Sequence, residues 1–164
     1  MGYKIKKYAG KPKYNLSTRT QKPSYIVMHY TDGAGSASDN VRYFRGGDRD
    51  ASADFFVDSK SIWRFNPNCK KYYSWHCGDG HGAYGISNAN SIGIEVVSTG
   101  KPYTEAEKKR VHYLVTMLME KYCIKEDHVV RHYDASRKLC PLPYAGTASK
   151  EKAWRELRQY ITKG

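Results

Sequence analysis

The sequence predicts an α/β fold in which a mixed central β-sheet is flanked by helices. Short apolar stretches of strand length alternate along the chain with longer amphipathic stretches of helical spacing. Residues 91–97 are almost continuously apolar, as expected for a strand at the centre of a sheet. Because strands and helices interleave in this way, we expect helices to cover the sheet.

Turn-forming residues bound each predicted strand. In chain order, the strands are expected at 24–31, 51–58, 61–65, 91–97 and 129–131. A turn at 58–60 joins the second strand to the third, and a long glycine-rich loop over 78–85 precedes the fourth.

The helices have recognisable caps and apolar faces. One helix is predicted at 37–44. A second begins at the capping box formed by Thr104 and Glu107, and a third lies near the end of the chain, where Trp154, Leu157 and Ile161 share one face. Residues 1–22 are basic and lack periodicity, so they predict an extended arm or a loosely packed lead-in. Residues 23–164 are expected to form one domain.

The chain is strongly basic, with 28 Lys plus Arg against 16 Asp plus Glu, a formal net charge of +12. This charge favours a polyanionic partner, which could be nucleic acid, an anionic membrane surface or an anionic cell-wall polymer, or else it serves solubility alone. A nucleic-acid motif is absent from the sequence, so nucleic acid is not expected as a partner. We expect a monomer.

No apolar run approaches the roughly 18 residues that span a bilayer, and no apolar segment follows the basic start. The protein is therefore expected to be made in the cytoplasm without a signal peptide.

A histidine and a cysteine lie eight positions apart in the segment 132–141, and Pro follows the cysteine directly. Imidazole and thiolate are both good zinc ligands, and a catalytic zinc needs three protein ligands and one open position, where a bound water becomes acidic. His29 ends an apolar strand and offers the third ligand to His132 and Cys140. The pattern predicts a zinc hydrolase, although a single histidine in such a place is more often structural.

The remaining cysteines carry less information. Cys69 and Cys77 flank a short segment and could pair, but nothing in the sequence requires it. Cys123 follows the apolar face of a helix and is expected to be packed.

Two charged residues near these positions are candidates for catalysis. A carboxylate within a run as apolar as 91–97 is costly to bury without a partner, so Glu95 should face a cavity, a cation or a donor. In a catalytic site Glu95 could move a proton, whereas in a structural role it would pair with an arginine. Lys138 could stabilise an oxyanion beside the metal, or simply be a solvated surface charge.

Aromatic and glycine residues surround His76 in the segment 75–78, which suits a cleft wall. Trp75 and His76 are therefore candidates for lining a substrate groove, with a bystander role as the alternative for His76. Asp54 is the third candidate for this groove.

Taken in order, these motifs resemble the zinc-dependent N-acetylmuramoyl-L-alanine amidases of phage endolysins, bacterial autolysins and peptidoglycan-recognition proteins. The resemblance runs from about residue 24 to 141. The segments that carry it are 27–31 with the first ligand, 51–58, the cleft loop 75–80, the central strand 90–96, and 132–141 with the other two ligands.

The resemblance implies an amidase-like fold, zinc held by His29, His132 and Cys140, and hydrolysis of the amide between N-acetylmuramic acid and L-alanine in peptidoglycan. It implies that Glu95 is the general acid/base and that Lys138 stabilises the oxyanion. The chain departs from many relatives at Asp54, where they carry Tyr or His, so Asp54 would share in proton transfer, support the site from behind, or be dispensable. The alternative is a recognition module that binds peptidoglycan without cutting it.

By the same resemblance, an enzyme of this kind would reach the cell wall after release by a holin, by lysis or by a non-standard route.

Overall fold

The computed structural model describes residues 2–78 and 83–163, so residues 79–82 of the glycine-rich loop expected at 78–85 lie outside these ranges. The strands are β1 (Ile5–Lys7), β2 (Leu16–Thr18), β3 (Tyr25–Tyr30), β4 (Phe55–Val57), β5 (Ile62–Arg64), β6 (Tyr72–Ser74), β7 (Ser91–Val96) and β8 (Val129–Arg131). The α-helices are α1 (Ala37–Arg45), α2 (Glu105–Tyr122), α3 (His132–Ser136) and α4 (Ala148–Lys163).

Within the described ranges, a six-stranded sheet has the order β1-β5-β4-β7-β3-β8. Its pairs are parallel except for β4 with β5, which is antiparallel. The prediction of a mixed sheet flanked by helices is therefore confirmed. A separate antiparallel pair joins β2 to β6.

The two faces of the central strands differ in character. Ile26 and Met28 on β3 and Ile92 and Ile94 on β7 belong to the main core, which also contains apolar residues of α2 and α4. Since successive side chains of a strand point to opposite faces, the other face of β3 and β7 carries Val27, His29, Ser91, Gly93 and Glu95. One face thus builds the core and the other is left for polar chemistry.

The helix starts follow the expected chemistry. Thr104 accepts a hydrogen bond from the Glu107 backbone, and the Glu107 side chain accepts one from the Thr104 backbone, which confirms the capping box of α2. Ser36 and Asp39 form the same arrangement at α1. The last helix buries Trp154, Leu157 and Ile161 as predicted.

The first residues of the chain correct the prediction of an extended basic arm over 1–22. Residues 5–7 pair in parallel with β5, and residues 16–18 pair with β6. Arg19 is 7% exposed, and its guanidinium donates to the carbonyls of Ala89 and Ser91 at 2.5 and 2.8 Å. The basic lead-in is thus part of the packed fold. The prediction missed this because short strands and a buried arginine leave no periodic pattern in the sequence.

Other expectations need smaller corrections. The strand predicted at 51–58 is limited to residues 55–57, since the Ser52 backbone donates to Trp75 rather than to the main sheet. Cys123 is exposed, in the left-handed conformation that ends α2, so the expectation of a packed thiol was wrong. The disulfide between Cys69 and Cys77 that the sequence left open is not formed. The Cys69 sulfur lies 3.9 Å from an Asp54 carboxylate oxygen, and the Cys77 sulfur lies 3.9 Å from Ser91 Oγ.

In the ranges that the structure describes, no helix combines the length and the apolar character needed to cross a membrane.

The packing of Arg19 generates a test of the corrected lead-in. Replacing Arg19 with Ala removes a charged donor from buried carbonyls, so we expect the free energy of unfolding to fall by at least about 2 kcal/mol. Chemical denaturation would measure it, with Lys22→Ala at an exposed position as the control. A change within about 0.5 kcal/mol of wild type for Arg19→Ala, the usual range for a surface site, would instead favour a loosely attached arm.

Candidate metal centre

The polar face of β3 and β7 provides the floor of the site. His29 lies opposite Glu95 in the parallel register, and its side chain is 1% exposed. The His29 backbone carbonyl accepts a hydrogen bond from the Tyr103 hydroxyl at 2.8 Å, which adds to the strand pairing that fixes the histidine.

His132 and Cys140 approach His29 from the segment after β8. The ligand atoms of these three buried residues all lie within 4.8 Å of one another. Cys140 Sγ is 3.7 Å from His29 Nδ1, close to the roughly 3.6 Å that separates a sulfur and a nitrogen bound to one tetrahedral zinc. The structure therefore brings together the three residues that the sequence nominated as ligands.

An ion-pair network around the buried Arg131 side chain holds the His132 segment in place. The Arg131 guanidinium donates to Asp134 and to Glu151, each at 2.8 Å, while the Asp134 side chain accepts from the Arg131 backbone. His132 is the first residue of α3 and so directly follows this anchor. The backbone of the next residue, Tyr133, donates to the Cys140 carbonyl at 2.9 Å, which ties the two ligand-bearing stretches together.

Burial sets the protonation of the three groups. Burial lowers the pKa of His29 well below its usual value, and it lowers the pKa of His132 to about 4, so both imidazoles are neutral near pH 7. Burial also raises the pKa of the Cys140 thiol to about 12. A thiolate at this position therefore needs a cation, and this donor set of two neutral imidazoles and one sulfur fits a zinc ion.

Glu95 lies beside the three candidate ligands. Its side chain is 18% exposed and Oε1 is 4.0 Å from His29 Nδ1. Oε2 is buried and, among the described residues, has no hydrogen-bond partner. Burial raises the pKa of Glu95 to about 8, against the opposing effect of the Lys138 ammonium. No arginine pairs with this carboxylate in the described part of the chain, so the structural role considered for Glu95 is not observed.

Lys138 is an exposed residue at the rim of the cluster. Its charge lowers the pKa of Glu95 and contributes to the lowered pKa values of His29 and His132. The Lys138 carbonyl accepts from the Cys140 backbone at 2.7 Å, which places the lysine one tight turn before the cysteine.

His76 directly contacts the cluster and is not only a candidate for the cleft wall. Its Nδ1 lies 2.9 Å from His29 Nε2, and burial lowers the pKa of His76 to about 3. The backbone of Cys77 forms a hydrogen bond with the ring of His132. The segment 75–78 thus contacts both histidines of the cluster, which the spacing of the sequence could not reveal.

The other two groove candidates have different surroundings. The Trp75 indole is half-buried and donates to Ser17 Oγ at 2.9 Å. Asp54 is 0% exposed and accepts hydrogen bonds from Asn66, from Ser74 and from the Gly93 backbone, at 2.6 to 2.7 Å. Asp54 therefore does not line an open groove in this structure, and it braces β7 from beneath.

Residues 19–143 match the family described as N-acetylmuramoyl-L-alanine amidase. The chain belongs to this family. A curated relative, the N-acetylmuramoyl-L-alanine amidase CwlA of Bacillus subtilis (strain 168), is 32% identical over 142 residues, which cover 84% of this chain and 50% of CwlA. The chain thus spans about half the length of that relative.

Solved structures agree with this family membership. PlyL superposes with a TM-score of 0.78 at 26% identity, covering 100% of this chain and 99% of that one. The catalytic domain of XlyA gives a TM-score of 0.75 at 25% identity, with 96% and 99% covered. The family's fold therefore extends over the whole chain, including the two short strands that precede residue 19.

The surroundings of Asp54 predict a structural effect. Replacing Asp54 with Ala leaves three buried donors without an acceptor, and we expect the free energy of unfolding to fall by about 3 kcal/mol or more. Thermal or urea unfolding would measure this, with exposed Asp127→Ala as the control. If Asp54→Ala were as stable as the control but turned over substrate slowly, Asp54 would have a catalytic role and not a structural one.

Proposed function

We propose that this protein is a zinc-dependent peptidoglycan amidase that hydrolyses the bond between N-acetylmuramic acid and L-alanine. The observation that carries the proposal is the buried cluster of His29, His132 and Cys140, whose ligand atoms lie within 4.8 Å of one another. Membership of the N-acetylmuramoyl-L-alanine amidase family supports the substrate and the bond.

His29, His132 and Cys140 would hold the metal. When bound, zinc would supply Lewis acidity toward the amide carbonyl and lower the pKa of water to about 7. Burial favours neutral imidazoles, which are the form that binds a metal, and the Cys140 thiol would give up its proton on metal binding to serve as the third ligand. The Arg131 network and the strand pairing of β3 hold these groups before the metal arrives.

Glu95 and Lys138 have separate roles in the proposed reaction. Glu95 lies beside the cluster and has a free oxygen among the described residues. A bound cation would lower its pKa from the raised value of about 8, so that the carboxylate can accept a proton from the attacking water and return it to the alanine amine as the amine leaves. The Lys138 ammonium, at the exposed rim, stabilises the negative charge that develops on the carbonyl oxygen. The net charge of +12 would favour docking on anionic cell-wall polymers.

Digestion of purified Gram-positive cell walls tests the proposal. We expect new N-terminal alanine and no new reducing ends, with loss of activity in a chelator and recovery with added zinc. Cys140→Ser should lose bound zinc and activity together, because it removes the thiolate. Cys123→Ser, the same change at an exposed cysteine, should keep both.

Two results would contradict this assignment. Wall binding without new ends of either kind would make the protein a recognition module. Full activity and full zinc content in Cys140→Ser would remove that residue from the ligand set.

The proposed role of Glu95 predicts a separable effect. Glu95→Gln keeps the shape of the side chain but cannot carry the proton, so we expect normal zinc content with turnover reduced at least about 100-fold. Alanine release and metal content would be measured together, and Glu120→Gln at an exposed position serves as the matched control. Near-normal turnover of Glu95→Gln would exclude this carboxylate from the mechanism.

A further inference from the structure

The two ring nitrogens of His29 face different partners. Nδ1 points toward the cluster, 3.7 Å from Cys140 Sγ and 4.0 Å from Glu95 Oε1. Nε2 points away from it, 2.9 Å from His76 Nδ1. If His29 binds a metal here, it does so through Nδ1, and the proton of the neutral ring must then be on Nε2.

A chain of hydrogen bonds continues from His76. Its other ring nitrogen, Nε2, lies 3.0 Å from Ser91 Oγ, and Ser91 Oγ lies 2.5 Å from the Ser87 carbonyl oxygen. Ser91 is 0% exposed, so water does not compete for its hydroxyl. The chain therefore runs from His29 through His76 and Ser91 to a backbone carbonyl.

The carbonyl fixes the direction of every proton in this chain. A carbonyl oxygen can only accept, so the Ser91 hydroxyl must donate to Ser87. Ser91 Oγ then accepts from Nε2–H of His76, which leaves Nδ1 of the neutral His76 ring as an acceptor. His29 must in turn donate from Nε2–H. Its Nδ1 is therefore unprotonated, and the lone pair of this nitrogen faces Cys140.

We propose that His76 is a positioning residue that, together with Ser91 and the Ser87 carbonyl, holds His29 in the one tautomer that can bind the metal through Nδ1. This inference rests on the proposed metal site and adds residues that do not themselves contact the ion. Hydrogen-bond partners of this kind are worth about 10- to 100-fold in metal affinity.

The sheet is shaped to hold the His76 ring. Ser91 lies opposite Tyr25 and Gly93 lies opposite Val27 in the register of β7 with β3, so Ser91, Gly93 and His29 share one face. A Cβ added to Gly93 would lie 2.6 Å from Cγ of His76, so only glycine leaves room for the ring there.

The backbone around His76 is also fixed. Asn88 Oδ1 accepts hydrogen bonds from the backbone N–H groups of His76 and Cys77, at 2.9 and 2.8 Å. The ring is thus held both from below by the sheet and from behind by its own backbone.

The first test determines which ring nitrogen of His29 and of His76 carries the proton. In zinc-free protein labelled with ¹⁵N-histidine, long-range ¹H–¹⁵N correlation spectra distinguish a protonated ring nitrogen from a bare one. We expect the proton on Nε2 in both His29 and His76. A proton on Nδ1 of His76 would reverse the chain and overturn the proposal, and this holds whether or not zinc binds.

The second test measures zinc affinity by competition with a chelator. His76→Ala should weaken zinc binding about 10- to 100-fold. His76→Asn should recover most of that loss, because Oδ1 of Asn is attached to Cγ, as Nδ1 of His is, and can accept from His29. The matched control is His128→Ala. The His128 ring donates from Nδ1–H to the Ser24 carbonyl, 2.9 Å away and next to the start of β3, so this change should leave zinc affinity unchanged.

The outcomes separate this inference from the proposed function. Wild-type affinity in a folded His76→Ala, or an equal loss in His76→Asn and His76→Ala, would overturn the positioning role. If wild-type protein bound no zinc, the metal proposal would fail, while the tautomer spectra would still decide the proton arrangement. If His76→Ala did not fold, the spectra and the His76→Asn variant would decide in its place.

Discussion

The parallel register between β3 and β7 is the constraint on which the site depends. It places His29 opposite Glu95, and it aligns Ile26 with Ile92 and Met28 with Ile94 on the opposite face. Because the side-chain period of a strand is two residues, a slip of one residue would bury the polar set in the core and expose the apolar one. The same burial that stabilises the core therefore also fixes the geometry of the ligands.

The site is surrounded by polar groups whose hydrogen-bond partners come from several elements of the fold. Asp54 is satisfied by donors from β6, β7 and the loop after β5, while Arg131 connects α3 and α4 through Asp134 and Glu151. Each of these groups would be costly to bury alone. Oε2 of Glu95 is the contrasting case, since it is buried without a partner among the described residues. An unsatisfied carboxylate beside two neutral imidazoles and a thiol is an arrangement that a cation would relieve.

Local chemistry allowed several elements to be predicted from the sequence. The capping box at Thr104, the apolar run of β7 and the face of α4 each depend on residues close together in the chain, and the structure confirms them. The lead-in was mispredicted because β1 and β2 have three residues each and obtain their stability from distant strands. Arg19 gave no local signal either, since the carbonyl partners of its guanidinium are 53 to 72 residues away.

The sequence by itself nominated the candidate ligands and gave their order along the chain, because the side chains of His29, His132 and Cys140 have the donor chemistry of zinc ligands wherever they lie. It also nominated Glu95, since a charge in an apolar run is costly at any position. Only the tertiary structure decided that His76 contacts His29, that Asp54 lies sealed beneath Gly93, and which nitrogen of His29 faces Cys140. Those facts depend on the register of strands and on contacts between residues 39 to 111 positions apart, which no local pattern encodes.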